Sequence, residues 1–246
     1  MMPEKRLPVM RVSSGDLARR ALVVGDPARA ETASRLLQEA RKVGENREYH
    51  TYSGIYGDQW VTICSHGVGA AGASICFSEL MQGGVRTLIR AGTCGALVKE
   101  IEDGSLVIAN GAIRSDGTTD QLIPLEYPAI ADADVTRALE TAALKAGCSF
   151  HKGIVLSQAH FYPGLLPGKL GMWMRAGAVG VEMELAALLV IASLNGARAG
   201  GILTSDGNLA RHGISMESYT PDRDVVRGGI QTMLQVALEA LTRMPE

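Results

Sequence analysis

Apolar residues along this chain gather into short runs, and glycine, proline and charged positions break them apart. Ala21-Leu22-Val23-Val24 reads as a buried strand; Asp26 as N-cap and Pro27 in the first turn then predict a helix from Ala28 to Glu39. Thr51 to Ile55 and Gln59 to Cys64 form two strands about a turn at Tyr56-Gly57-Asp58. A helix opens within Ser65 to Gly72 and runs to about Gln82, followed by a short strand, Val85 to Ile89, closed by Arg90. Leu106 to Ile113 is the next strand, and a polar, proline-marked loop spans Arg114 to Pro128. Asp132 to Ala146 is an amphipathic helix carrying Val135, Leu139, Ala142 and Ala143 on one side. Strands at Gly153–Ser157, Ala178–Val181 and Gly200–Thr204 alternate with an apolar helix, Leu185 to Leu194, and a last helix, Asp222 to Arg243. That alternation is the α/β pattern. With no linker and no internal repeat, residues 1–246 are read as one domain.

Composition narrows the class. At 46% hydrophobic the chain can build a sizeable core, and a net charge of −2 gives no electrostatic argument for nucleic acid or an anionic membrane. Six of the 24 basic residues are lysine and eighteen arginine, a bias that suits fork-like recognition of oxyanions. Cys64, Cys76, Cys94 and Cys148 have no metal-ligand spacing and read as free thiols in a reducing compartment. No signal peptide and no membrane-spanning run is visible, so a cytoplasmic soluble protein is expected.

Candidate chemistry collects where strands end. Arg90 closes an apolar strand, where a guanidinium needs an anionic partner, and Ala91-Gly92-Thr93-Cys94-Gly95 follows as a loop able to hold an anion or sugar close to the backbone. Gly25 sits where a strand feeds a helix N-terminus, with Arg29 one turn on. Residues 67–72 match the Gly-x-Gly-x-x-Gly of dinucleotide-binding folds. That fingerprint wants an acid at the end of the next strand, yet the strand ends at Arg90 and no carboxylate follows before Glu100. Phe161-Tyr162 before Pro163-Gly164 puts rings at a strand end, able to stack on a planar ligand or simply to pack a loop. Glu182 and Glu184 flank Met183 before an uncharged helix, as helix-dipole partners or as acceptors for sugar hydroxyls. Asp206 follows an apolar strand and precedes Gly207.

Six of these segments stand in the order they hold in one family. Val24-Gly25-Asp26-Pro27-x-Arg29, Asn46-Arg47-Glu48-Tyr49, Ser65-His66-Gly67-Val68-Gly69, Arg90-Ala91-Gly92-Thr93-Cys94-Gly95, Val181-Glu182-Met183-Glu184 and Ser205-Asp206-Gly207 resemble the nucleoside phosphorylases. The match is best to purine nucleoside phosphorylases of the oligomeric, uridine-phosphorylase-like branch. The resemblance implies a single α/β domain with a mixed central sheet and a distorted barrel flanked by helices. It implies phosphate binding by Gly25, Arg29, Arg47, Arg90 and Thr93, and ribose binding by Thr93, Met183 and Glu184. It also implies base contacts from Phe161, Glu182 and Asp206, with Asp206 and Arg90 as catalytic groups. The implied reaction is reversible phosphorolysis of purine ribonucleosides to base and ribose 1-phosphate. Inorganic phosphate is the co-substrate, with no metal or organic cofactor, in a homo-oligomer built from dimers, up to a hexamer.

Two segments depart from the family's pattern. The histidine that the family offers near its N-terminus is replaced by Leu7-Pro8-Val9-Met10, and the Gln-x-Arg uracil clamp of uridine phosphorylases by Leu165-Leu166-Pro167. The second departure, with Asp206 where uridine enzymes lack an acid, favours purine over uridine. A nucleosidase using water and a dinucleotide-binding protein are the remaining alternatives. Three arginines argue against the first, and the missing acid after Arg90 against the second.

Overall fold

The computed structural model describes residues 5–212 and 219–244. The first strand, β1 (Arg20–Val24), is buried throughout, and its side chains alternate between two cores. Ala21 and Val23 face the cluster built on α2 (Ala70–Gln82) and α5 (Leu185–Leu194). Leu22 and Val24 face the one built on α1 (Pro27–Ser34), α3 (Ala133–Lys145) and α7 (Asp224–Arg243). A strand covered on both faces has no polar side, which is why β1 reads as an unbroken apolar run.

Local chemistry sets the helix starts. The Asp26 carboxylate accepts from the Ala28 amide at 2.9 Å, and Asp132 accepts from Asp134 and Val135 at 2.9 and 3.0 Å. The helix expected over 28–39 stops at Ser34, and Gln38–Asn46 is instead a strand, β2. Its residues are polar and mostly exposed; pairing with β3 (Tyr49–Tyr56) at the sheet edge holds them extended, and no hydrophobic pattern betrays it. Three short elements also escaped the sequence pattern: β7 (Ala129–Ile130), α4 (Leu170–Arg175) and α6 (Leu209–His212).

The remaining strands are β4 (Gln59–Ser65), β5 (Thr87–Ala96), β6 (Leu106–Ser115), β8 (Phe150–Gln158), β9 (Gly180–Glu182) and β10 (Arg198–Asn208). All ten join one mixed sheet. Five close on themselves, since β5 pairs with β10, β10 with β6, β6 with β8, β8 with β9, and β9 with β5. The strands β1, β4, β3 and β2 extend outward from β5 in that order, with β2 at the edge. A single domain with a distorted barrel inside a mixed sheet follows from these pairings.

The barrel closes because β5 changes partners. Its first half pairs with β1 as far as Val23↔Arg90, and its last residues pair with β9 from Gly95↔Val181. Residues 91–94 of that edge therefore have no strand beside them. The loop expected after Arg90 is strand: β5 runs on to Ala96 because its other edge stays paired to β10 along its whole length. Small residues permit this. A Cβ on Gly92 would lie 2.0 Å from Nη1 of Arg90, so the arginine folds back over its own strand only because residue 92 is glycine.

Gly92→Ala should therefore push the Arg90 guanidinium out of place and break its buried ion pair with Glu184. Breaking such a pair typically costs about 3–5 kcal/mol, read as a lower denaturant midpoint. Wild-type stability in the variant would show that Arg90 has other room.

Candidate active site

A cavity of about 910 Å³ opens where the C-terminal ends of β1, β5, β8, β9 and β10 converge. Ligands in open α/β sheets bind outside the carboxyl ends of strands, and nine of the ten site residues singled out in the sequence line this one space. Gly25, Arg29, Arg90, Thr93, Phe161, Glu182, Met183, Glu184 and Asp206 all line it, and Thr93 and Arg29 lie close to Asp206. Arg47 is the exception. It lies exposed in the turn between β2 and β3, at φ 53°, outside the cavity wall, while its neighbour Glu48 reaches in. Of the three arginines expected to bind phosphate, Arg29 and Arg90 therefore line the cavity within this chain and Arg47 does not.

Those two differ in what holds them. Arg90 is buried, and its Nη2 donates to Oε2 of Glu184 and lies 3.4 Å from Oε2 of Glu182. Its Nε and Nη1 are buried with no partner among the described residues. Burial alone would lower its pKa, but the two carboxylates outweigh that and raise it. Arg29 makes no ion pair among the described residues, and burial lowers its pKa; Asp26 and Asp206 oppose that shift, and Arg90 adds to it. Unused N–H donors on two desolvated cations are a demand for an oxyanion.

Glu184 is tied twice. Its Oε1 accepts from the Gly69 amide at 2.5 Å, and its Oε2 takes the Arg90 bond. Burial pushes its pKa up, but Arg90 and the Gly69 amide outweigh that and lower it, so the carboxylate is ionised. This explains the glycine pattern at 67–72. Gly69, at φ 92°, is the N-cap of α2, and the anion at that helix start is the protein's own carboxylate rather than a pyrophosphate. Gly67 has no Cβ because the Glu48 side chain fills that place, 2.7 Å away. Next to it, His66 is fully buried with Nδ1 on the Gly67 carbonyl, and burial beside Arg90 brings its pKa down to about 3. It is neutral.

Glu182 lines the cavity but its carboxylate is turned to the start of α5. Oε2 accepts from the amides of Glu184 and Leu185 at 2.8 and 2.9 Å, and Oε1 from the Ser157 hydroxyl, which itself accepts from the Ala186 amide at 2.9 Å. Its carboxylate thus caps α5 while the residue still lines the cavity. Burial and the neighbouring Glu184 charge raise its pKa, against Arg90.

Beside the cavity, β10 carries a bulge. Ser205 pairs with Cys94 and Gly207 with Gly95, leaving Asp206 as the extra residue, aimed into the cavity. Burial raises its pKa despite hydrogen bonds from Tyr219 and Thr93 and the nearby Arg29 charge. A carboxyl group whose pKa is raised holds its proton to higher pH and is better suited to donate it. Phe161, 46% exposed, stands edge-on to Tyr162 and Tyr219, with ring centroids 5.2 and 5.7 Å apart. The sequence pattern pointed to none of Tyr219, Ser157 and Glu48 as site residues. Ser157 ends a predicted strand and Glu48 sits in a quoted motif, but Tyr219 carries no local signal at all.

Comparison with known proteins agrees with this geometry. The family model described as the phosphorylase superfamily matches residues 19–242. A guanosine phosphorylase of Halorubrum lacusprofundi is 33% identical over 96% of this chain and 98% of that protein. A uridine phosphorylase of Treponema pallidum is 34% identical over 94% and 91%. Among solved structures, a purine nucleoside phosphorylase of Toxoplasma gondii in complex with immucillin-H superposes with a TM-score of 0.91, at 30% identity over 98% of this chain and 97% of that one. With its closed barrel, its cationic strand ends and these relatives named for purine and for uridine nucleosides, the chain belongs to the phosphorylase superfamily as a nucleoside phosphorylase.

Proposed function

We propose that this chain is a purine nucleoside phosphorylase, cleaving purine ribonucleosides with inorganic phosphate to free base and ribose 1-phosphate. The observation that carries the reading is Asp206, bulged into the cavity beside Phe161, with its carboxyl pKa raised by burial. A purine presents N7 to such an acid; a uracil has no N7. Leu165 and Leu166, where a uracil clamp would stand, are fully exposed apolar residues and offer no polar group to a pyrimidine.

The cavity divides the work along its length. Phosphate would sit against the free N–H groups of Arg29 and Arg90, the Thr93 hydroxyl and the corner at Gly25. The ionised Glu184, fixed by Arg90 and Gly69, would accept from ribose hydroxyls, with Met183 packed on the ring. As the C1′–N9 bond breaks, its electron pair moves into the purine and positive charge grows on the ribosyl carbon. A phosphate oxygen forms the new bond to C1′, and the Asp206 proton passes to N7. The reading requires no resident cofactor. It extends to a cytoplasmic homo-oligomer acting in purine salvage, as the resemblance implies; among the described residues no helix is long and apolar enough to cross a membrane.

Base release from inosine or guanosine should require inorganic phosphate and yield ribose 1-phosphate. Release at the same rate in phosphate-free buffer would mark a nucleosidase, and turnover confined to uridine a uridine phosphorylase.

Asp206→Asn keeps a hydrogen-bond donor but has no proton to transfer. General acid catalysis is typically worth about 10²–10⁴ in rate, so kcat on inosine should fall by roughly that factor with the phosphate KM little changed. A nucleoside whose base leaves without protonation should be spared. Wild-type turnover of inosine by this variant would make Asp206 a turn residue only.

A further inference from the structure

Asp206 is held from outside its own strand. The Tyr219 hydroxyl donates to Oδ2 of Asp206 at 2.8 Å, and Nη2 of Arg223 donates to the Asp206 backbone carbonyl at 3.1 Å. Arg223 is anchored in turn, with Nη1 on Oδ2 of Asp103 at 2.6 Å and Nε on the Thr220 carbonyl at 2.8 Å. The Tyr219 ring meets Phe161 edge-on at 5.7 Å and is 3.8 Å from where a Gly207 Cβ would lie. Phenol, acid and aromatic wall therefore form one contiguous unit at the base end of the cavity, and all three line it.

We propose that Tyr219 is a positioning residue for the Asp206 acid, holding Oδ2 so that the proton given to the purine rides on Oδ1 and the carboxylate left behind is met by a phenol O–H. The inference rests on the phosphorolysis reading above and adds to it the group that tunes the acid. The chemistry balances simply. The carboxyl proton goes from Oδ1 to N7, the C1′–N9 electron pair goes to the base, and the negative charge that appears on Asp206 strengthens the hydrogen bond from Tyr219. An interaction that strengthens as the proton leaves lowers the barrier. It also makes Asp206 a stronger acid than its burial alone would.

The groups facing Asp206 from each packed element are few. Arg29 approaches from the β1–α1 corner, Thr93 and the buried Cys94 thiol from β5, and Arg223, neutralised by Asp103, from the start of α7. Arg29 and the Thr93 hydroxyl lower the Asp206 pKa along with Tyr219, while burial raises it. Removing the phenol oxygen leaves those others in place, so the sign of its effect is set. Without the Tyr219 donor the Asp206 pKa rises, and the acid is both weaker and protonated to higher pH.

The test is Tyr219→Phe, which keeps the ring and its contact with Phe161. Phosphorolysis of inosine should be followed across pH, alongside a carbon NMR titration of the Asp206 carboxyl. Losing a hydrogen bond to a charged group is worth about tenfold or more. The variant should show kcat about tenfold lower on the acidic plateau, with the alkaline limb of kcat and the Asp206 titration both moved up by about one pH unit. A nucleoside that leaves without protonation should react at the wild-type rate. An unmoved limb and titration, or an equal loss on the activated nucleoside, would overturn the role given to Tyr219 and reduce it to wall packing. Wild-type enzyme that releases no purine with phosphate would overturn the phosphorylase reading instead, and the titration would still report whether Tyr219 tunes Asp206.

Discussion

The structure turns on one buried guanidinium. Arg90 stands on the central strand between Val23 of β1 and Gly201 of β10, and it is 4% exposed. A cation there must be met by anions, and the two that meet it come from the start of α5. Glu182 caps that helix, while Glu184 reaches across to the first amide of α2. One arginine thus couples the central strand to the starts of two helices that pack on the same face. Replacing such a cluster with hydrophobic residues is often neutral or stabilising. Its retention here is better explained by the two N–H groups of Arg90 that the cluster leaves unused.

Secondary structure then turns this cluster into a cavity. Because β5 gives up β1 at Arg90 and takes β9 at Gly95, the sheet splits at the point where its chemistry is concentrated. The same split puts Glu182, at the end of β9, beside an arginine further back along β5. On the other side of β5, the bulge in β10 displaces only Asp206 and leaves the pairing on both sides intact. A partner switch and a bulge are small departures from a regular ladder. Together they aim a cation and an acid into one space.

Much of this was legible in the residues. Continuous apolar runs gave most strands, and caps at Asp26 and Asp132 gave helix starts, because both signals are local. Gly25, Arg90, Glu184 and Asp206 drew attention as polar or flexible residues at strand ends, and the cavity gathers them. What the residues could not show was partnership. The polar β2 is a strand only because β3 lies beside it, and β5 continues past Arg90 only because β10 follows it to Ala96. Arg47 and Arg90 look alike in sequence, yet one sits in an exposed turn and the other under two helices. Glu182 and Glu184 are two residues apart, and only the fold says which carboxylate is spent on a helix cap. Tyr219 meets Asp206 across thirteen residues, through a contact that no periodicity encodes.

The two cavity carboxylates show how one space shifts two buried acids in opposite directions. Glu184 and Asp206 are both nearly buried, so desolvation pushes each toward the neutral form. Glu184 escapes because a guanidinium and a helix-start amide bond it directly, which favours the charged form. Among the described residues the Asp206 carboxyl meets only neutral donors, the Tyr219 and Thr93 hydroxyls and its own amide, with a more distant Arg29, and these do not offset its burial. A charged acceptor suits hydroxyl groups that stay bonded throughout a reaction, whereas a neutral donor suits a base that gains charge as it leaves. The difference between them is therefore not in residue type or depth. It lies in whether the hydrogen-bond donor that each one meets carries a full charge.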